Sequence, residues 1–136
     1  MKLTPFALGI GLATGCLLAV PGSAAVCKPF ASLSGVYKAN DGGTYRIRAA
    51  GDTVWWLGRS ADAGESWTNV FKGTRKGNII TGQWADLNSG ATGTGALTLK
   101  VTKNFQLVRI NAVGSGFGGT RWLRPGCDSD NSVPID

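Results

Sequence analysis

The chain has 136 residues, 14 Lys and Arg against 8 Asp and Glu, a formal net charge of +6, and no histidine. That length fits one small domain, and the missing imidazole removes Ser-His-Asp and Cys-His catalysis together with the usual histidine metal ligands. The basic residues are scattered and form no run with interleaved aromatics, so nucleic acid is not an expected partner, while weak attraction to an anionic envelope or polysaccharide stays open.

At the N-terminus, Lys2 is the only charge before a mostly apolar run from Phe6 to Val20, followed by Pro21-Gly22 and Ser23-Ala24-Ala25. This pattern reads as a secretory signal peptide over residues 1–25, cleaved after Ala25; the run is too short and too rich in glycine for a transmembrane span. A second reading makes Ala13-Thr14-Gly15-Cys16 a lipoprotein box with a lipid anchor on Cys16, but Leu17, Leu18, Ala19 and Val20 then stand where a polar tether belongs. Cleavage leaves 111 residues with 13 basic and 8 acidic side chains. They are read as a single domain over 26–127 and a flexible tail over 128–136, in a secreted or periplasmic protein with no membrane span.

Two cysteines then remain, Cys27 and Cys127, and an oxidising compartment favours a disulfide between them. Closing so long a loop is worth roughly 4–5 kcal/mol in the chain-entropy model. A thiol redox role would call for close spacing such as Cys-x-x-Cys, and none is present.

From Gly35 onward, short runs of period-two patterning alternate with turn residues. The predicted strands are Gly35 to Lys38, Gly43 to Ala49, Thr53 to Arg59, Trp67 to Thr74, Asn78 to Asp86, Gly95 to Val101, Phe105 to Val113 and Thr120 to Leu123. Asn40-Asp41-Gly42-Gly43, Gly51-Asp52, Lys76-Gly77-Asn78, Asn88-Ser89-Gly90 and Lys103-Asn104 supply the turns. The expected fold is all-β: a small antiparallel up-and-down barrel of about eight strands, closed so that no edge is exposed, with a β-sandwich as the alternative.

Gly35-Val36-Tyr37 near the start and Arg121-Trp122 near the end resemble calycin barrels (lipocalins, avidins and related protease inhibitors), which open on Gly-x-aromatic and end on a basic residue packed across that aromatic. The resemblance implies a barrel; Tyr37 stands where lipocalins carry Trp. The segments Asp41-Gly42-Gly43-Thr44-Tyr45, Val54-Trp55-Trp56-Leu57-Gly58, Asn69-Val70-Phe71-Lys72-Gly73-Thr74 and Gly77-Asn78-Ile79-Ile80-Thr81-Gly82-Gln83-Trp84-Ala85-Asp86 are similar to a pattern in small exported bacterial proteins of unsettled function. That likeness implies a shared β fold and no reaction.

Ser60-Ala61-Asp62-Ala63-Gly64-Glu65-Ser66-Trp67 resembles the Asp-box of sialidases and other propeller proteins. It occurs once, in a chain too short for a propeller, so Ser60, Asp62, Gly64 and Trp67 are read as a structural turn. Most other acids fall in turns or the tail. A carboxylate pair such as Glu65 and Asp86 would be needed for a small glycan-acting enzyme. Asp86-Leu87-Asn88-Ser89-Gly90 and Asp128-Ser129-Asp130-Asn131-Ser132 lack the acidic ligand that completes a calcium loop, and no metal or cofactor is expected.

The tryptophans remain. Trp55 and Trp56 are adjacent on one strand and must point to opposite faces, Trp56 with Val54 and Trp55 with Thr53 and Leu57. One of them fills the core; the other is either covered by a terminal segment or serves a ligand. Trp55, Trp56, Trp67 and Trp84 are therefore the candidate ligand-binding residues, with Asn69, Phe71 and Ile80 on the same surface as Trp67 and Trp84. The expected function is non-enzymatic capture of a small molecule or glycan. One alternative is a protein-interaction role, such as a periplasmic protease inhibitor that inserts an N-terminal segment or a loop such as Gly114 to Gly119 into its partner; the other is a small glycan-acting enzyme resting on Glu65 and Asp86.

Overall fold

The computed structural model describes residues 30–88, 93–114 and 116–124. The leader 1–25, Cys16, Cys27, Cys127 and the tail 128–136, with its whole 128–132 loop motif, lie outside the described residues, as do Ser89 and Gly90 of the other loop motif.

Period-two patterning becomes eight strands: β1 (Gly35–Ala39), β2 (Thr44–Ala50), β3 (Thr53–Arg59), β4 (Thr68–Lys76), β5 (Ile79–Asp86), β6 (Thr94–Val101), β7 (Leu107–Gly114) and β8 (Arg121–Leu123). Each pairs antiparallel with the next, and β1 closes on β8 through Lys38↔Leu123 and Ala39↔Trp122. The protein is an eight-stranded closed up-and-down barrel, and the closing pair removes the sandwich alternative. β7 begins later than the alternation suggests because Phe105 adopts a left-handed φ of 56° and belongs to the turn.

Successive side chains alternate between core and solvent. Tyr45, Ile47, Val54, Trp56, Phe71, Ile80, Trp84, Leu97, Leu99 and Trp122 are buried, each large apolar side chain contributing about 1.5–3 kcal/mol. The outward positions carry exposed Lys38, Arg46, Arg48, Arg59, Lys72 and Lys100. Charges on so many strands make a hydrated exterior, unlike the apolar band of a membrane barrel. Among the described residues no helix is long and apolar enough to cross a membrane.

Connections alternate between the two ends. The turns at Gly51-Asp52, Gly77-Asn78 and 102–106 share one end with segment 30–34; the connections after β1, β3, β5 and β7 share the other, the mouth.

The first end is closed. Leu33 is buried there, and the Tyr37 hydroxyl donates to the carbonyls of Leu33 (2.8 Å) and Phe105 (2.9 Å), sharing one proton between them. The basic residue that packs across Tyr37 is Arg124, not the Arg121 singled out in the sequence. Its guanidinium lies 5.6 Å from the Tyr37 ring and 3.7 Å from the Phe30 ring, and it donates to Ser32 O (2.9 Å) and Ser34 O (3.0 Å). Parity explains the difference. Arg124 lies two residues beyond buried Trp122 and keeps its inward direction, whereas Arg121 is adjacent to Trp122 and turns away. Glycine at 35 is what allows the approach, because a Cβ there would lie 2.8 Å from Arg124 Cζ and 2.9 Å from Nε.

At the other end the wall is uneven. β8 pairs with only the start of β7, through Leu107↔Trp122 and Val108↔Arg121, so the rest of β7 runs past it and leaves Ile110 and Val113 exposed. The chain must then return from the tip of β7 across the mouth to reach β8.

Candidate functional site at the barrel mouth

The middle of the barrel is filled by rings. Trp56 stacks on Phe71 (4.3 Å between centroids, 21°) and meets Trp122 at 5.4 Å and the edge of Tyr45 at 5.4 Å. Its indole N–H donates to Asn69 Oδ1 at 2.9 Å, which satisfies both buried groups. Trp56 is thus the floor of the mouth rather than an open binding face.

Phe117 closes over this floor. On the returning segment Gly114-Ser115-Gly116-Phe117-Gly118-Gly119 it is the one large side chain. Its ring sits 4.8 Å from Trp84, 5.9 Å from Trp56 and 6.0 Å from Trp122, while its carbonyl accepts from Arg109 Nη1 at 2.8 Å. Within the loop offered for a partner, Phe117 is turned inward, held by aromatic packing and one charged hydrogen bond, while Gly116 and Gly118 stay exposed.

The Asp-box turn sets the opposite wall. Asp62 accepts from the hydroxyls of Ser60 and Ser66 and from Ser66 N (3.1 Å); these bonds, with Ser60 the largest contributor, hold its carboxyl well below the usual carboxylate range. Gly64 takes φ +97°, a conformation that L side chains rarely adopt. Ser60 Oγ accepts from Trp67 N at 3.3 Å, and Ser60 N donates to Trp67 O at 3.0 Å. The carboxylate is spent inside the turn. What the box delivers is the Trp67 indole, laid over Gly43 and 5.8 Å from the Tyr45 ring.

Two further acids complete the mouth. Asp41 accepts from Tyr45 Oη (2.6 Å) and Gly43 N (2.8 Å), so its place is fixed by β2 and by its own turn. Burial and, next, this bond to Asp41 push the Tyr45 hydroxyl far above its ordinary value and keep it a donor. Asp86 ends β5, and burial raises its carboxyl above the usual range.

Between these groups lies a cavity of about 170 Å³ lined by Asp41, Trp67, Asn69, Trp84, Asp86, Gly116, Phe117 and Gly118. Trp84 forms one wall, and its Nε1, like that of Trp122, is buried without a hydrogen-bond partner. A larger groove of about 250 Å³ runs outside, between Arg46, Leu57 and Arg59. It has no aromatic wall, and the Arg59 guanidinium there is bound to Ala63 O. A hollow of about 350 Å³ on the barrel wall has aromatic lining but no carboxylate, so of these three the mouth is the one that joins aromatic faces to acids. Among the described residues no three acidic or cysteine side chains come together as a metal site.

Two hollows divide the four tryptophans picked from the sequence. Trp67 and Trp84 line the mouth, with Trp56 beneath it, whereas Trp55, Trp56 and Trp84 line a more open groove of about 350 Å³ on the barrel wall, where Trp55 is 46% exposed between its cross-strand neighbours Arg48 and Lys72. No described terminal segment covers it; Lys72 Nζ lies 4.8 Å over its ring instead. Glu65 is exposed on the Asp-box turn and lines no part of the cavity that Asp86 faces, so that carboxylate pair is not assembled there. Sequence reasoning missed Asp41 and Phe117. Asp41 looked like an ordinary turn residue. A lone Phe in a glycine run was the available signal for the second.

Fold and mouth together define a closed β-barrel with one aromatic, acidic opening. Comparison of the chain with protein-family models, curated proteins and solved structures gives no match.

Proposed function

We propose that the protein is an exported, non-enzymatic capture module that holds a small molecule or the end of a glycan at the barrel mouth. The observation that carries this reading is the cavity itself, where the faces of Trp67, Trp84 and Phe117 meet polar groups from Asp41, Asn69 and Asp86. A few convergent polar groups in an aromatic hollow are what small-ligand sites use for orientation and affinity. Its volume is below the roughly 300 Å³ at which pockets for drug-sized ligands begin. With Phe117 in place the mouth therefore suits a head group or a sugar terminus.

Export through the 1–25 leader and a Cys27–Cys127 clasp belong to the same reading. The leader reading is supported by the apolar run ahead of Ala25, and the clasp by the side-chain contact of Phe30 and Arg124 at 3.7 Å, each three residues along the sequence from a cysteine.

Tryptophan fluorescence of the purified protein against a panel of glycans, small metabolites and peptides tests the function. Saturable change that is lost in Trp84→Phe supports mouth binding; a flat response to every probe sinks it. Exposed Trp55, flanked by Arg48 and Lys72, favours a second reading in which the outer face contacts a protein partner. A response abolished by Trp55→Ala and untouched by Trp84→Phe would select that one.

A further inference from the structure

We propose that the group captured at the mouth is a small organic cation, an ammonium or guanidinium head group held between the Asp41 and Asp86 carboxylates and the faces of Trp67, Trp84 and Phe117. This inference rests on the mouth being the binding site and names its ligand class.

Charge distribution is the first support. The chain carries 14 basic residues against 8 acidic ones, and the charged side chains at its exposed strand positions are all Lys or Arg. The cavity reverses that sign, with two carboxylates and no lysine or arginine in its lining. An anionic ligand would meet two like charges there and no side-chain cation to offset them.

The aromatic walls give the second. Indole and phenyl faces attract cations through their quadrupoles, Trp most strongly, and the attraction grows as water is excluded. Trp84 is almost wholly buried and Phe117 packs against it at 4.8 Å, so a group entering beside them leaves much of its water behind. A compact ammonium or guanidinium fits about 170 Å³.

The two acids divide the work. Asp41 already accepts from Tyr45 Oη and Gly43 N, which fixes it as an oriented acceptor. Among the described residues no side chain donates a hydrogen bond to Asp86, and burial disfavours its charge. A bound cation would give Asp86 both hydrogen bonds and an opposite charge, whereas a neutral sugar would give hydrogen bonds alone.

The test is titration of the purified full chain, by calorimetry and tryptophan fluorescence, with choline and agmatine as cationic probes, glucose as the neutral one and glucuronate as the anionic one. Binding of at least one cation, weakened about tenfold or more by Asp86→Asn and retained in Asp86→Glu, supports the proposal. Raising salt from about 20 to 300 mM on the unsubstituted protein should weaken it several-fold, a readout that needs no variant to fold. Glucose binding at the mouth with no response to either cation overturns the cation assignment and leaves the capture reading standing. Unchanged cation affinity in Asp86→Asn, or none of the expected salt dependence, also overturns it. No response to any of the four probes overturns the cation assignment as well, while the wider panel decides the capture reading separately.

Discussion

Gly35→Ala should destabilise the barrel although glycine is intrinsically the poorer strand residue. The new Cβ would fall on the Arg124 guanidinium, 2.8 Å from Cζ and 2.9 Å from Nε, so Arg124 must leave. It then gives up its bonds to Ser32 O and Ser34 O and its place over Phe30. Each partly solvated bond is worth about 1 kcal/mol net and the ring contact about 0.5–1, giving a loss of roughly 2–3 kcal/mol. For a domain of this size that corresponds to a drop in Tm of roughly 10–20 °C. Thermal melts followed by circular dichroism measure it, and a double-mutant cycle with Arg124→Ala isolates the cause. With Arg124 already gone, the added methyl should cost less than about 0.5 kcal/mol. Additive losses in the double mutant would refute the reasoning, because the penalty would then lie in the backbone at 35 and not in the guanidinium it displaces.

Tyr37→Phe removes the proton shared by Leu33 O and Phe105 O and should cost about 1–2 kcal/mol in a denaturant titration. Burial, partly opposed by Arg124 and then Arg75, raises the Tyr37 hydroxyl to about 12 in the folded protein. Its contribution is therefore complete below pH 10 and is lost as pH rises from 10 to 12, so Tyr37→Phe should flatten that alkaline fall. Asp62 works in the opposite direction: its lowered value makes its contribution complete above about pH 4 and lost as pH falls below that, and Asp62→Ala should blunt the acid limb of the stability curve. Phe117→Ala should lower stability by about 1–3 kcal/mol, less than a fully enclosed Phe would, and should weaken ligand binding by removing one aromatic wall of the mouth; unchanged stability would mean that the ring contacts carry no weight.

Much of the architecture was legible because closure of an antiparallel barrel depends on period-two patterning and turn chemistry, which are local. The adjacency of Trp55 and Trp56 required that one face outward, and the structure assigns that position to Trp55. Which of several nearby bases would pack across Tyr37 was not local: it depends on the parity of a three-residue strand, β8, that is too short to show alternation by itself. Mouth residues were harder still. Asp41, Trp67, Asp86 and Phe117 come from four different connections or strand ends, and only the barrel's register brings them together. Phe117 adds a further difficulty, since its inward turn follows from β7 outrunning β8, a mismatch of lengths that no single segment reveals.

The most direct test of mouth binding follows the five indole N–H signals in a two-dimensional NMR titration with a ligand found by the fluorescence panel. Mouth binding predicts that the Trp84 and Trp67 signals move together and saturate while Trp55 stays in place. Movement of Trp55 with Trp84 and Trp67 unmoved would contradict it and place recognition on the outer face.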